Sequence, residues 1–309
     1  MNPGAQPSPA TRPLGLALLR AWPLPPPGDG GKEERGRVLV VGGRRDLAGA
    51  VRLAGEAALR AGGGKLQIAV ASSAAPALAV AVPEARVLAL PETAGGDLAG
   101  TGRSLPGVAS HADALVIGPG IEAGATTRVL CARLLARTSC TAVLDAGAID
   151  VGVLRTWRRG RERPPVILTP HHGEMAALLG CDAGDVEADP AAIATAFARE
   201  WGLVVVLKAA TTWIADATGE LWVNRGGPAG LGTSGSGDVL AGIIGGLCAR
   251  GAVPAQAACW GVWLHARAGA RLQRRCGELG FLAREIPAEV PAIMHAVGAP
   301  RRGRRDPPA

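Results

Sequence analysis

The chain has 309 residues, 48% of them hydrophobic, which suffices for a substantial core in one large α/β domain or two small ones. Residues 1–36 carry four basic and three acidic groups and residues 301–309 four arginines and one aspartate, so only +3 of the formal +7 belongs to the body. With two phenylalanines, no tyrosine and its basicity gathered at the termini, the chain is not expected to bind nucleic acid.

Residues 1–36 are rich in proline and glycine and read as a flexible tail. Their single apolar run, residues 14–19, is too short for a signal-peptide core. From residue 37 onward, short apolar runs alternate with helical patterns. Strands are expected at 37–42, 66–71, 86–90, 114–118, 141–145, 166–169 and 203–208, with a hairpin of 212–215 and 220–224. Helices are expected at 47–61, 125–137, 174–179, 190–201, from 238, at 254–275 and at 283–297. The strands are continuously apolar rather than alternating, which argues for a mostly parallel sheet covered on both faces. Residues 66–82 form the most apolar window, yet Gln67, Ser72, Ser73 and Pro76 interrupt it, so no membrane span is expected. Residues 301–309 read as a solvated basic tail, and deleting both tails is expected to leave activity and melting temperature unchanged.

Ligands of such sheets bind beyond the carboxyl ends of the strands. The expected strands end in Gly42-Gly43, Gly118-Pro119-Gly120, Asp145, Thr169-Pro170-His171-His172-Gly173-Glu174 and Lys208-Ala209-Ala210-Thr211-Thr212. The stretch that organises the rest is 227–247, GPAGLGTSGSGDVLAGIIGGL. Its glycine-rich run stops where Val239, Leu240, Ile243, Ile244 and Leu247 begin one helix face, leaving backbone N–H groups free at the positive end of a helix dipole. Asp238 at the mouth of such an anion cradle is either a helix cap or a base that takes a proton from an attacking hydroxyl. His171, His172 and Glu174 diverge along one segment and have no second His/Cys cluster, so zinc is not expected. The six cysteines show neither CxxC pairs nor metal spacing and read as thiols of a reducing cytosol. Gly64-Lys65 is followed by leucine rather than serine or threonine, so no Walker A loop is expected.

VVGGRRDLAGAVRLAGEAALRAGGGKLQIAV near the start, VPEA at 82–85, IGPGI at 117–121, VLDAGA at 143–148, VILTPHHGEMAALLG at 166–180, VVVLKAATTWIA at 204–215 and GTSGSGDVLAGIIGGL at 232–247 resemble, in order, the motifs of the ADP- or ATP-dependent (S)-NAD(P)H-hydrate dehydratases. The LTPHxGE element separates that family from sugar kinases. The resemblance implies a ribokinase-like three-layer α/β/α sandwich over residues 37–300. It implies a substrate, NADHX or NADPHX, whose C6 hydroxyl is phosphorylated and then lost as phosphate. Asp238 is implied as the catalytic base, and Ala50, Gly120, His171 and Asp238 as contacts to the hydrate. Lys208, Ala209, Ala210, Thr211, Thr212, Gly235, Ser236 and Gly237 are implied at the nucleotide, with the N–H groups of Gly235, Ser236 and Gly237 on the transferring phosphoryl. Glu174 is implied to organise Mg²⁺ through water. ADP or ATP as co-substrate, a separate NAD(P)HX epimerase as functional partner, a cytoplasmic location and a homo-oligomer, taken as a homotetramer, also follow from the resemblance.

Some positions depart from the family's pattern. His172 stands for proline, Ala209 for glycine, Ser234 and Ser236 for glycine and for threonine or methionine, and Gly147 for an acid. Two rivals remain open at this level. One is a small-molecule kinase such as a hydroxyethylthiazole kinase, and the other is a nucleotide-binding regulator that has lost catalysis. Loss of Asp238 or Glu174 would mark the regulator, and both residues are present.

Overall fold

In the computed structural model, which describes residues 11–26, 31–160 and 163–298, the apolar runs pair into one ten-stranded sheet with helices on both faces. The chain begins with β1 (Arg12–Pro13), α1 (Leu16–Ala21), β2 (Arg37–Val41), α2 (Gly49–Arg60), β3 (Lys65–Ala71), α3 (Ala75–Ala81) and β4 (Ala85–Leu90). It continues through α4 (Leu105–Ala109), β5 (Ala114–Ile117), α5 (Ala125–Leu135), β6 (Thr141–Leu144), α6 (Val151–Arg159) and β7 (Val166–Leu168). Next come α7 (His172–Leu179), α8 (Ala183–Ala188), α9 (Pro190–Trp201), β8 (Val204–Leu207), β9 (Thr211–Ala215) and β10 (Leu221–Arg225). The helices α10 (Ser236–Ala249), α11 (Pro254–Cys276) and α12 (Ile286–Gly298) close it.

The strand order is β1-β10-β9-β8-β7-β6-β5-β2-β3-β4, parallel except where β9 runs against β8 and β10. Side chains alternate between two cores. Val38 and Val40 face the layer of α2, α10, α11 and α12, whereas Leu39 and Val41 face the layer of α5, α6, α7 and α9. This is the three-layer arrangement expected from the continuously apolar strands.

Two features aim the site. The chain leaves β2 outward to β3 and β4 and returns on the other side of β2 as β5, which opens a crevice beyond the ends of β2 and β5. Gly43 N–H donates to Pro119 O at 2.8 Å and Arg44 N–H to Gly120 O at 2.8 Å, lacing the two strand ends together. The second feature is the crossing of α10 over α2. A Cβ at Gly242 would overlap the Ala54 carbonyl and one at Gly246 the Ala58 carbonyl, so glycines four residues apart let the helix backbones touch. That contact sets the N-terminus of α10 against the N-terminal half of α2, where a Cβ on Gly235 would lie 2.5 Å from Leu53 Cδ1.

The N-terminal expectation needs correction. Residues 11–26 are packed on the body: β1 pairs in parallel with β10, Leu19 is fully buried, and Trp22 stacks on Trp222 with ring centroids 6.0 Å apart. Gln256 donates to the carbonyls of Trp22 and Pro23, and Trp260 Nε1 to that of Trp22. A two-residue strand and a six-residue helix lack a periodic signal and draw their stability from tertiary contacts. The expected tail at 301–309, and residues 1–10, lie outside the described residues.

Candidate active site

The carboxyl ends of five adjoining strands form one rim, carrying Gly42 (β2), Gly118 (β5), Asp145 (β6), Thr169 (β7) and Lys208 (β8) in sheet order. Asp145 is almost fully buried. Its Oδ1 accepts from Thr169 Oγ1 at 2.6 Å and from Lys208 Nζ at 2.9 Å. Burial alone would make Lys208 easier to deprotonate, but the charges of Asp145 and Glu174 outweigh it and hold the ammonium above its ordinary pKa. Lys208 is tied to the next strand end, where its N–H donates to Pro170 O at 2.7 Å.

His171 caps α7. Glu174 N–H donates to His171 Nδ1 at 3.2 Å, while His171 N–H donates to Glu174 Oε2 at 2.8 Å, a reciprocal capping box. The same Oε2 lies 3.9 Å from Lys208 Nζ. The exchange fixes the Glu174 carboxylate on the rim. Among the described residues, no group of three or more His, Cys, Asp or Glu side chains could hold a metal ion.

Helix α10 begins at Ser236, with Gly235 as its N-cap at φ 87°, a left-handed conformation that glycine adopts without strain. Asp238 therefore sits in the first turn. Its carboxylate makes no capping bond, and no other hydrogen bond to it is present among the described residues, which removes the cap reading. Burial, and then the neighbouring charge of Asp145, push its pKa up to about 7 although Lys208 pulls the other way. A carboxylate in that range is matched to proton transfer near neutrality.

Of the three expected phosphoryl donors, Ser236 N–H is already turned to Thr233 O at 3.2 Å. The N–H groups of Gly235, Gly237 and Asp238 have no acceptor among the described residues. Lys208 joins them, since a Cβ on Gly237 would lie 3.4 Å from Lys208 Nζ. The loop thus offers backbone N–H groups and one ammonium to an anion, with Asp238 beside them.

A cleft of about 590 Å³ opens from this point. It is lined by His171, Lys208, Ala209, Ala210, Thr212, Ser236 and Gly237, with Pro228, Leu231 and Val262 among its apolar walls. Thr211 opens β9 beside it without lining it, and Gly235 and Asp238 stand at its end. Ala50 and Gly120 lie instead in the crevice beyond β2 and β5, where a Cβ on Gly120 would come within 2.9 Å of Ala50 Cβ. Two compartments therefore meet at the N-terminus of α10.

Sequence reasoning left three residues out of the site. Asp145 was noted at a strand end, but its role as the counterion of Lys208 needs two segments 63 residues apart to meet. At the level of sequence Asn224 is only the last residue of the expected hairpin. In fact it is 8% exposed, stands across from Thr212 and lines the cleft, with no partner for its carboxamide among the described residues. His265 on α11 is buried against Ser236, and no local motif announces it.

Residues 38–292 match the family model described as NAD(P)H-hydrate dehydratase. The ADP-dependent (S)-NAD(P)H-hydrate dehydratase of Xanthomonas campestris pv. campestris is 53% identical over 93% of this chain and 97% of its own length. The bifunctional NAD(P)H-hydrate repair enzyme Nnr of Moorella thermoacetica is 40% identical over 84% of this chain, which spans only 49% of that longer protein. Among solved structures, the ADP/ATP-dependent NAD(P)H-hydrate dehydratase of Bacillus subtilis, co-crystallised with ATP and Mg²⁺, superposes with a TM-score of 0.79 at 27% identity, covering 93% of this chain and 99% of that one. The match extends from the start of β2 into α12 and takes in every strand end on the rim, and on it the chain belongs to the NAD(P)H-hydrate dehydratase family.

Proposed function

We propose that this protein converts the S form of NAD(P)H hydrate back to NAD(P)H at the expense of ADP or ATP. The observation that carries the reading is Asp238, a carboxylate without hydrogen bonds among the described residues and with a raised pKa, placed where the cleft and the crevice meet. The nucleotide lies in the cleft, its base against the Pro228, Leu231 and Val262 wall and its terminal phosphoryl at Gly235, Gly237 and Lys208. The reduced nicotinamide ring enters the crevice at Ala50 and Gly120, with His171 on the opposite side.

Asp238 takes the proton of the C6 hydroxyl as that oxygen attacks the terminal phosphorus. A new O–P bond forms, the bridging P–O bond breaks, and the shortened nucleotide leaves. Backbone N–H groups and Lys208 hold the equatorial oxygens as charge develops on them. The ring nitrogen lone pair then expels phosphate from C6, and loss of a C5 proton restores the dihydropyridine. Hydroxide is thereby replaced by a far better leaving group.

Mg²⁺, when bound, supplies charge neutralisation on the phosphates. Glu174 is the residue to hold it, through water, because the neighbouring Asp145 Oδ1 is already engaged by Lys208 and Thr169, and Mg²⁺ keeps several waters where substrate phosphates complete its shell. The reading includes a cytoplasmic location, a homotetramer and a separate epimerase that supplies the S form. Among the described residues no helix is long and apolar enough to cross a membrane.

The test is a direct assay of hydrated NADH and NADPH with ADP and with ATP, following the return of the reduced-nicotinamide absorbance. Recovery that depends on nucleotide is expected; recovery without nucleotide, or none with either, would overturn the proposal.

A further inference from the structure

We infer that His265 is a positioning residue that aims the hydroxyl proton of Ser236 at the phosphoryl group in the glycine loop, an inference that rests on the nucleotide-dependent reading above. His265 projects from α11 and is 9% exposed. Its Nε2 lies 3.1 Å from the Ser236 carbonyl oxygen and 3.0 Å from Ser236 Oγ. A carbonyl oxygen can only accept, so Nε2 must carry the ring proton; a bare nitrogen there would set two lone pairs against each other.

That assignment decides the orientation of the serine. Because Nε2 is a donor, Ser236 Oγ beside it accepts, and the hydroxyl's own proton points away from the imidazole. No other partner for Oγ is present among the described residues. Ser236 lines the cleft next to Gly237, which borders Lys208 Nζ, so the direction left to the proton is the anion position. The hydroxyl is also the one donor Ser236 has to give, because its N–H is held by Thr233 O at 3.2 Å. Burial pushes the His265 pKa down to about 4. The ring therefore stays neutral near pH 7 and contributes orientation rather than charge.

The experiment is a double-mutant cycle on the full-length protein, with Ser236→Ala, His265→Leu and the pair, plus His265→Gln, whose amide N–H can still donate to Ser236. Hydrate turnover and KM are read together with ADP affinity by calorimetry and with melting temperature. Ser236→Ala is expected to lower kcat about tenfold with hydrate KM nearly unchanged, the loss of one hydrogen bond that strengthens in the transition state. His265→Leu should lower kcat about as much in the wild-type background but less than about twofold when Ser236 is already alanine, and His265→Gln should recover most of the loss.

An equal cost of His265→Leu in both backgrounds would show a merely structural role and overturn the inference, as would full turnover in Ser236→Ala. If His265→Leu does not fold, Ser236→Ala and His265→Gln decide the matter alone, since a wild-type kcat in the first or a tenfold loss in the second rejects the inference. A wild-type protein without nucleotide-dependent hydrate turnover would overturn the dehydratase reading, and this inference with it. Wild-type turnover with an additive cycle would reject only the inference.

Discussion

The Lys208 ammonium sits 2.9 Å from Asp145 Oδ1, across the end of the strand that separates β8 from β6. Both groups are largely buried, so each depends on the other to offset its desolvation. Asp145→Asn keeps the hydrogen bond from Thr169 but strips Lys208 of its closest counterion. It is expected to destabilise the protein by about 3 kcal/mol, the scale for breaking a buried pair on one side, measured by denaturant unfolding at pH 7. Asp145 also raises the Asp238 pKa, so the acid limb of the activity profile should move to lower pH in the same variant. An unmoved limb would show that Asp145 does not act on the base.

Asp238 ties activity to stability in opposite directions. In the folded protein it keeps its proton up to about pH 7, against an ordinary value of 3.8. Between those values the native state binds more protons than the unfolded chain, so this group's contribution to stability falls as pH rises through that window. Turnover rises through the same window, because the base must be ionised. Asp238→Asn is therefore expected to lower turnover by about 10²- to 10⁴-fold while raising stability relative to wild type by a few kcal/mol at pH 8 and leaving it nearly equal at pH 4. Turnover close to wild type in a folded variant would remove Asp238 as the base.

The N-terminal strap gives a prediction opposite to the one drawn from sequence. Leu14 N–H donates to Val223 O at 2.8 Å beyond β1, Arg20 Nε donates to Val297 O at 3.2 Å, and Leu19 is fully buried. Leu19→Ala is expected to cost about 2–5 kcal/mol, as for other fully buried leucines. Deleting residues 1–26 should lower the melting temperature and weaken nucleotide binding, since β1 is the outer neighbour of β10, which carries Asn224. An unchanged melting temperature after the deletion would show that the strap adds nothing to the fold.

The contrast shows which parts of this molecule are legible in its sequence. Continuous apolar runs announce strands buried on both faces, and β2, β3, β5, β6, β7 and β8 were located to within a residue or two. The start of α10 was legible because a run of glycines precedes a helical stripe, but whether Asp238 caps that helix was not, and only the absence of a capping bond decides it. Short elements such as α1, α4 and α8 were not legible, since five or six residues carry too little periodicity. The electrostatics were hidden for another reason. Asp145, Glu174, Lys208 and Asp238 influence one another only because four segments converge on the rim, and the burial that raises the Asp238 pKa belongs to the fold and not to its neighbours in the chain.

The last prediction separates dehydration through a phosphorylated intermediate from every simpler course. In the proposed reading the terminal phosphoryl sits at Gly235, Gly237 and Lys208 beside Asp238, so the oxygen that loses its proton there is the one that becomes bonded to phosphorus. If the C6 hydroxyl carries ¹⁸O, that oxygen should leave with the phosphoryl group once the ring nitrogen expels it. Inorganic phosphate should then contain one heavy oxygen, and one nucleotide should be consumed for each reduced cofactor recovered, as read by mass spectrometry and absorbance on the same sample. Elimination assisted only by an acid would send the label to water and leave the nucleotide intact. A kinase would retain it in a stable phosphate ester, with no return of absorbance. Label in water or in an ester would reject the phosphorylated intermediate even with the fold and the nucleotide cleft unchanged, because the nitrogen-driven step requires that the bond broken at C6 be the one to the phosphorylated oxygen.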